Sequence, residues 1–383
     1  MKTIHVSMVV LGAVAATILL PGCGKAPVAY DVTGNPSQLL VTFDPSVTTP
    51  DGMSIDATGA LVISCPNYAD QTKPACFMRV EKIGAPATLL ALSPVLPETG
   101  LSCPMGITFG PDGDLYVCDN QAWSGSEKGK FKGRLLRLKF ENGKLAKTIV
   151  IADGMEHPNG VRLHNGLLYV TQSMLTRVKD PSGLIVSGIY RFNPDDVGLK
   201  VANTLEDSNL IVKFVTKNKN CQYGADGLVF DSKGNLFVGN FGDGLLHKVT
   251  FDANGKVTGC YDFAKTDFDY SLDPKKPGFL DKAMQAKMRT TDGICIDGQD
   301  NIYVADFSNN AISKVTPEGK ISVVWQNGDS TGVDGMLNEP GEPILWKGFI
   351  VVCNFDAVFG PNHTDKINSK AEMPATLVGI PLR

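Results

Sequence analysis

Four carboxylates and one amide occupy corresponding positions in six similar segments of the sequence. The six residues that open these segments are Asp51, Met105, Asn159, Asp226, Asp292 and Glu342. Oxygen atoms from Asp, Glu and Asn are the ligands that Ca²⁺ prefers, whereas a Zn²⁺ site would be expected to contain His or Cys. Carboxylates brought to one place repel one another unless they are protonated, solvated or neutralised by a cation. The pattern therefore indicates a cation site, provided that the six segments meet.

A second interpretation applies to some of these residues. Asp-Gly and Asn-Gly are common in turns, where the side chain caps nearby backbone N–H groups, and we favour this role for Asp51 and Asp292. Glu342 departs from the repeated pattern, because the Glu-Pro pair is poor turn chemistry. We therefore predict that Glu342, Asn159 and Asp226 hold a divalent cation, most suitably Ca²⁺.

The segments recur regularly enough to predict a repeat architecture. Their starts are separated by 54, 54, 67, 66 and 50 residues. Each contains an apolar strand pattern, a tight turn and a second strand, and a third alternating strand recurs in several of them. This length suits a four-stranded blade, so we predict an all-β, six-bladed β-propeller over residues 38–383. The first strand of each blade would line the central channel and bring the opening residues together.

The ends of the chain predict how the ring closes. Residues 376–383 read as the third strand of the last blade, and no sequence remains for a fourth. Residues 38–43 precede the first segment and form a strand pattern of their own. We predict that this N-terminal strand completes the last blade, which leaves no open seam in the ring.

Composition excludes several classes of protein. The chain has 383 residues with 43% hydrophobic content, 40 Gly and 23 Pro, too apolar for disorder and too punctuated for a helical bundle. The net charge is −4 and no basic run is present, so we expect no nucleic-acid partner. We expect a monomer.

The N-terminus resembles a bacterial lipoprotein signal. An apolar stretch leads to Leu20-Pro21-Gly22-Cys23, which is similar to a lipobox, although Pro21 is unusual there. We predict that residues 1–22 are removed, that Cys23 is lipidated and that residues 23–37 form a tether. The protein would then be anchored in the cell envelope, at the outer membrane facing the periplasm, and would contact the membrane only through its lipid. An ordinary secretory signal is the alternative.

Eight further cysteines show no metal-binding spacing. An exported chain allows disulfides, and both Cys65 with Cys76 and Cys221 with Cys260 lie in loop-rich stretches where a bridge is conceivable. Three other cysteines lie inside apolar strand patterns, where we expect them to be buried as small hydrophobic residues: Cys118, Cys295 and Cys353.

The chain resembles the calcium-dependent six-bladed propellers that comprise senescence marker protein, gluconolactonase and luciferin-regenerating enzyme. Three segments carry the resemblance: Gly341-Glu342-Pro343, Pro158-Asn159-Gly160 and Ala225-Asp226-Gly227. It covers roughly residues 38–383. The resemblance implies hydrolysis of a lactone or related ester, with Ca²⁺ on Glu342, Asn159 and Asp226, and with Asp226 or Asp292 helping to remove a proton from water.

One departure from that family concerns the substrate side of the site. Met105 stands where the family commonly has another Asn, and either Asp119 or Asn120, at the end of the adjoining strand, is a candidate substitute. We assign Met105, Asn120 and His157 to substrate binding. His157 could also be a base near the metal, but a place in a surface loop is the role we favour for it. The alternative function is a non-catalytic propeller that serves as a cell-surface platform for ligands or proteins.

Overall fold

The computed structural model describes residues 34–122, 127–357, 367–368 and 371–382. The signal segment, Cys23 and most of the predicted tether therefore lie outside the described residues. Residues 34–37 of that tether already touch the propeller, since the Asn35 side chain donates to the Pro381 carbonyl at 2.9 Å. In the described part of the chain, no helix is both long and apolar enough to cross a membrane.

Six small antiparallel sheets are arranged as a six-bladed β-propeller, which confirms the predicted fold. The first blade consists of β2 (Met53–Ile55), β3 (Leu61–Cys65), β4 (Cys76–Val80) and β5 (Thr88–Leu92). The second consists of β6 (Pro104–Phe109), β7 (Leu115–Asp119), β8 (Gly133–Glu141) and β9 (Lys144–Met155). The third consists of β10 (Pro158–His164), β11 (Leu167–Gln172), β12 (Val186–Phe192) and β14 (Leu210–Val215). A two-residue strand, β13 (Leu199–Lys200), adds to the second blade in parallel with β9.

The remaining blades complete the ring. The fourth consists of β15 (Ala225–Phe230), β16 (Leu236–Asn240), β17 (Leu245–Phe251) and β18 (Val257–Lys265). The fifth consists of β19 (Ile294–Ile296), β20 (Ile302–Asp306), β21 (Ala311–Val315) and β22 (Ile321–Gln326). The sixth consists of β23 (Pro340–Trp346), β24 (Phe349–Asn354), β25 (Thr376–Pro381) and β1 (Gln38–Thr42). The one described α-helix, α1 (Phe279–Gln285), lies between the fourth and fifth blades in sequence, and 3₁₀ turns span Phe241–Asp243 and Phe307–Asn309.

The closure of the ring matches the prediction. Strand β1 pairs antiparallel with β25, so that Gln38 faces Gly379 and Thr42 faces Thr376. The first described strand thus becomes the outer strand of the sixth blade, and backbone hydrogen bonds join the two ends of the domain.

Neighbouring blades pack through alternating apolar side chains. Between the third and fourth blades, for example, Tyr169 and Ile189 pack with Leu228, Val238 and Val249 in one buried cluster. Every second residue of an inner strand faces a neighbouring sheet, which is why the alternating pattern was visible in the sequence.

Glycines at the channel permit the innermost strands to approach one another closely. A Cβ atom on Gly227 would lie 2.7 Å from the Asp292 carbonyl oxygen and 2.7 Å from the Ile294 nitrogen of the next blade. Gly52, Gly106, Gly160 and Gly293 have equivalent backbone neighbours. The repeated Xaa-Gly pair is therefore a packing requirement of the ring rather than a turn signal.

The eight cysteines of the described chain are free, so neither of the two conceivable bridges is formed. Cys65 and Cys76 are direct cross-strand partners on β3 and β4, and both are buried. Three others are buried in strands, as the sequence indicated: Cys118, Cys295 and Cys353.

Candidate functional site

A β-bulge interrupts the start of the inner strand in four of the six blades. In the third blade, Pro158 pairs with Gln172 and Val161 pairs with Val170. Strand β10 therefore has two residues between these pairs, Asn159 and Gly160, where β11 has one, and these two residues form the bulge. The same shift occurs over Met105-Gly106, Asp226-Gly227 and Gly341-Glu342. The bulge gives Met105, Asn159 and Asp226 the same position at the start of the inner strand of their blades.

The register of the bulges corrects the alignment of Glu342. The residue equivalent to Asn159 and Asp226 is Gly341, and Glu342 occupies the position that glycine holds in the other blades. The contacts agree, since a Cβ on Gly293 would meet the Gly341 carbonyl oxygen and the Glu342 Cα. The Glu342 side chain therefore leaves the strand one residue later than the sequence comparison predicted.

Buried carboxylates come together at the axis. Asp51 is 6% exposed and Asp226 is 4% exposed. Burial raises the pKa of Asp226 well above its usual range, and the charges of Asp292, Asp51 and Glu342 raise it further. Burial, Asp292 and Glu342 likewise raise the pKa of Asp51. These acids share one electrostatic environment, which we call the acid ring: Asp51, Asp226, Asp292 and Glu342.

The structure does not support the turn-capping role favoured for Asp51. Its Oδ2 atom is buried and has no hydrogen-bond partner among the described residues. Leaving a buried carboxylate oxygen without a donor is costly unless it is protonated or a cation is present. We therefore group Asp51 with the acid ring, whose charges also act on it.

Asn159 is held in a defined orientation at the edge of the acid ring. Its Nδ2 donates to the Tyr223 hydroxyl at 3.1 Å and to Ser173 Oγ at 3.3 Å. Because both contacts use the nitrogen, the Oδ1 atom points away from these two groups. That oxygen is a suitable ligand for a hard cation.

Glu342 forms an ion pair that the sequence interpretation missed. A guanidinium nitrogen of Arg162 donates to Glu342 Oε1, and the two side chains are 22% and 10% exposed. Burial raises the pKa of Glu342, and the charge of Arg162 opposes that shift. The available signal was a charged residue in the strand of the third segment, at a position where the other segments carry Ser54, Thr108, Val229, Cys295 and Ile344.

His157 is part of this site and not of a surface loop. It is 6% exposed, and its Nδ1 lies 2.7 Å from Asn120 Nδ2 and 3.4 Å from the Tyr223 hydroxyl. Burial lowers its pKa to about 4, so the imidazole is neutral at pH 7. Asn120 is fully buried and fixes His157, so the two predicted substrate residues contact each other.

Met105 lies against an aromatic ring instead of facing an open site. Its Sδ atom accepts a hydrogen bond from the Tyr68 hydroxyl at 2.9 Å. Only 7% of the residue is exposed, and it packs in an apolar cluster with Tyr68, Phe307 and Phe355.

A chain of six rings surrounds this end of the channel, and we call it the aromatic collar. Consecutive members meet edge to face with centroids 5.2 to 6.0 Å apart, in the order His157, Tyr223, Phe241, Phe307, Phe355 and Tyr68. Burial raises the pKa of Tyr223, and the charge of Asp226 raises it further. Burial, Cys103 and then Asp51 raise the pKa of Tyr68. The collar therefore lies close to the acid ring.

The collar has a signal in the sequence that the motif comparison missed. All three of its phenylalanines directly follow a polar residue that ends the second strand of a blade: Asn240-Phe241, Asp306-Phe307 and Asn354-Phe355. The three strand ends lie at one end of the channel, so this recurrence could have predicted an aromatic rim.

The donor chemistry of the site fits a divalent cation. Within the described ranges, no three His, Cys, Asp or Glu side chains are grouped so as to hold a metal ion by themselves. The predicted set contains only two such residues together with the Asn159 amide. The unpartnered Asp51 oxygen, the Asp226 carboxylate among its like charges and the oriented Asn159 oxygen are all hard ligands that a cation would satisfy.

Comparisons with solved structures find six-bladed propellers of the lactonase type, as the sequence resemblance implied. A luciferin-regenerating enzyme is 12% identical with a TM-score of 0.57, and the match covers 91% of this chain and 95% of that one. Regucalcin from Agrobacterium tumefaciens, described as a calcium-binding protein, is 14% identical with a TM-score of 0.53 and coverage of 91% and 96%. A gluconolactonase from Xanthomonas campestris is 11% identical with a TM-score of 0.50 and coverage of 94% and 100%.

The same likeness is not visible at the level of sequence families. No family model matches the chain, and no curated protein matches it. At these identities the structural likeness establishes the fold, and the chemistry has to be argued from the site.

Proposed function

We propose that the protein is a hydrolase of a lactone or related ester that depends on a divalent cation, most suitably Ca²⁺. The observation that carries the proposal is the acid ring, whose buried carboxylates repel one another beside the oriented oxygen of Asn159. Likeness to a gluconolactonase and to a calcium-binding regucalcin supports it.

Some residues of the channel would bind the cation, and others would transfer the proton of the attacking water. Glu342, Asn159 and Asp226 would hold the cation, which supplies a Lewis acid that polarises the ester carbonyl. Asp226 and Asp292 are the candidates for accepting the proton of the attacking water. Burial raises the pKa of Asp226, and a carboxylate with a raised pKa is a stronger base than an ordinary surface aspartate.

His157 would act by position rather than by charge. Its low pKa keeps it neutral at pH 7, and Asn120 donates to its Nδ1, which leaves the proton on Nε2. Asn120 is fully buried and Met105 packs against Tyr68, so these two predicted substrate residues would support His157 rather than touch the substrate themselves. The neutral His157 imidazole offers no positive charge to an anionic substrate.

The aromatic collar favours one class of substrate. Tyr223 and Phe241 are the half-buried rings of the collar and would offer apolar surface to a substrate, while Phe307 and Phe355 are buried behind them. An ester or lactone with an apolar ring or alkyl substituent fits this rim better than a polyhydroxylated sugar lactone.

A non-catalytic binding platform is the second candidate. Two observations favour it: Met105 replaces an amide ligand with a side chain held by Tyr68, and Arg162 already occupies Glu342. Either function is consistent with an exported lipoprotein anchored through Cys23, which we retain as a proposal.

Elemental analysis combined with a hydrolysis assay tests the main proposal. Purified protein is assayed for bound metal and for hydrolysis of alkyl, aryl and sugar lactones, with added Ca²⁺ or with EDTA. We expect hydrolysis that EDTA abolishes and Ca²⁺ restores, and that Asp226→Asn lowers at least about a hundredfold, in the range typical for loss of a general base. Absence of hydrolysis in a protein that binds no metal would favour the binding platform.

A further inference from the structure

We propose that Arg162 competes with the metal ion for Glu342 and thereby sets the cation affinity of the channel. The inference rests on the proposed metal-dependent function but concerns a residue to which that function assigns no role. Arg162 lies on β10, three residues after Asn159, and Glu342 lies on β23 of the sixth blade, opposite the third in the ring. The pair therefore crosses the channel.

The charges at the axis are unevenly balanced. The Arg162 guanidinium pairs with Glu342, whereas Asp51 Oδ2 is buried and has no hydrogen-bond partner among the described residues. The ion pair thus neutralises one acid of the ring and leaves this carboxylate oxygen without a donor. A cation would still be stabilised by the acid ring, even though the Arg162 guanidinium is already present in the channel.

The contacts of Glu342 show why a metal and Arg162 exclude each other at this carboxylate. Oε1 accepts from Arg162, and Oε2 lies against Gly293, where even a Cβ atom would collide with it. The Arg162 side chain is anchored as well, since its other terminal nitrogen donates to the Val161 carbonyl at 2.9 Å. The Glu342 carboxylate is therefore held between the Arg162 guanidinium and the backbone at Gly293.

Two effects of Arg162 on metal affinity follow. Its positive charge repels a divalent cation throughout the narrow channel, where screening by water is weaker than at the surface. Its hydrogen bond also withdraws a ligand, so a metal that uses Glu342 has to displace the guanidinium. Removing Arg162 eliminates both effects when Glu342 is present, but only the first when position 342 is neutral.

A double-mutant cycle on calcium affinity separates these effects. Wild type, Arg162→Gln, Glu342→Gln and the double variant are titrated with CaCl₂ by calorimetry, and each is also melted with and without Ca²⁺. Arg162→Lys is the matched control, because it retains the charge. Melting without metal shows whether each variant is folded, so that loss of binding is not mistaken for loss of structure.

We expect Arg162→Gln to bind Ca²⁺ about tenfold more tightly than wild type or better, corresponding to the coupling of one close charge pair. The gain from the same substitution should be clearly smaller in the Glu342→Gln background. Arg162→Lys should remain within a few-fold of wild type. Binding by Arg162→Gln but not by wild type would also support the inference, while refuting a calcium-dependent wild-type enzyme.

Three results would overturn the inference. A folded Arg162→Gln variant that binds Ca²⁺ no more tightly than wild type would show that Arg162 positions Glu342 for the metal instead of competing with it. Equal gains in the two backgrounds would remove the competition for Glu342. No binding by any folded variant would reject both the inference and the metal-dependent function.

Discussion

The side-chain amide of Asn159 donates a hydrogen bond to the hydroxyl of Tyr223 at 3.1 Å. This contact links the third blade to the segment that leads into the fourth, and it decides which end of the amide is available to a ligand. An amide can offer either a donor or an acceptor, so its orientation is part of the chemistry of the site.

Tyr223→Phe should weaken metal binding while preserving the fold. The substitution removes one of the two acceptors of Asn159 Nδ2 and leaves Ser173, so we expect a roughly three- to tenfold loss of calcium affinity, about 1 kcal/mol. Calorimetric titration measures it. Tyr261→Phe is the control, because Tyr261 is 57% exposed on an outer strand. Equal affinity in both variants would contradict the orienting role.

Gly227→Ala should destabilise the ring itself. The new Cβ would meet three backbone atoms of the fifth blade at 2.7 to 2.9 Å, and backbone cannot yield as a flexible side chain does. We expect a loss of roughly 2–4 kcal/mol in the free energy of unfolding, measured with urea. Gly328→Ala is the matched control, since a Cβ atom on Gly328 would meet no atom within 4 Å. Similar losses in the two variants would refute the packing role.

The acid ring should give stability a characteristic dependence on pH. The folded-state pKa values of Asp226 and Asp51 are raised well above the usual range of an aspartate, so these groups hold protons more tightly in the folded state. In EDTA their contribution is therefore lost as pH rises from about 4 through their folded-state pKa values. Calcium should offset the loss, so its stabilising effect should grow with pH.

Melting curves between about pH 5 and 8, with EDTA or Ca²⁺, test this dependence. Comparison with Asp226→Asn isolates the acid ring from the histidines. His157 has the opposite sign, because its pKa is lowered to about 4 and its contribution to stability increases as pH rises from that value toward its ordinary pKa. A variant with the same pH slope as wild type in EDTA would argue against the acid ring as the source.

Phe241→Leu should change substrate preference more than catalysis in general. Phe241 is half-buried and stands between Tyr223 and Phe307 in the collar, so leucine keeps apolar volume but removes the ring. We expect kcat/KM to fall roughly three- to tenfold for aryl lactones, within the approximate 0.5–1.5 kcal/mol typical of an aromatic pair. Small unsubstituted lactones should be nearly unaffected, and a uniform decrease would oppose the specificity role.

Cys23→Ser should release the protein from membranes into the soluble fraction. The expectation follows from the lipobox-like sequence before Cys23, because serine cannot carry the thioether-linked lipid. Fractionation of cells that express each form, followed by detection of the propeller, measures the change. Cys260→Ser serves as the control, since Cys260 is an exposed cysteine of the folded domain. Identical fractionation of wild type and Cys23→Ser would reject the lipid anchor.

The sequence by itself determined the blade, the number of blades and the closure of the ring. Alternating apolar residues and glycine-containing turns are local features that can be recognised in the sequence. Six copies of a segment with both features predict six blades. The pairing of β1 with β25 could be predicted, because the last segment supplied only three strands of its blade and an unassigned strand preceded the first segment. Even Asn159 and Asp226 could be predicted at the channel, since each opens the inner strand of its blade.

Only the tertiary structure decided what surrounds those residues. Arg162 and Glu342 are separated by 180 residues, and nothing local indicates that two inner strands lie opposite across the ring. The one-residue offset of Glu342 depended on the register of a bulge, and the burial of His157 depended on Tyr223 from a later segment. Charge and hydrogen bonding at the axis come from six distant segments at once, so they exist only after the ring has closed.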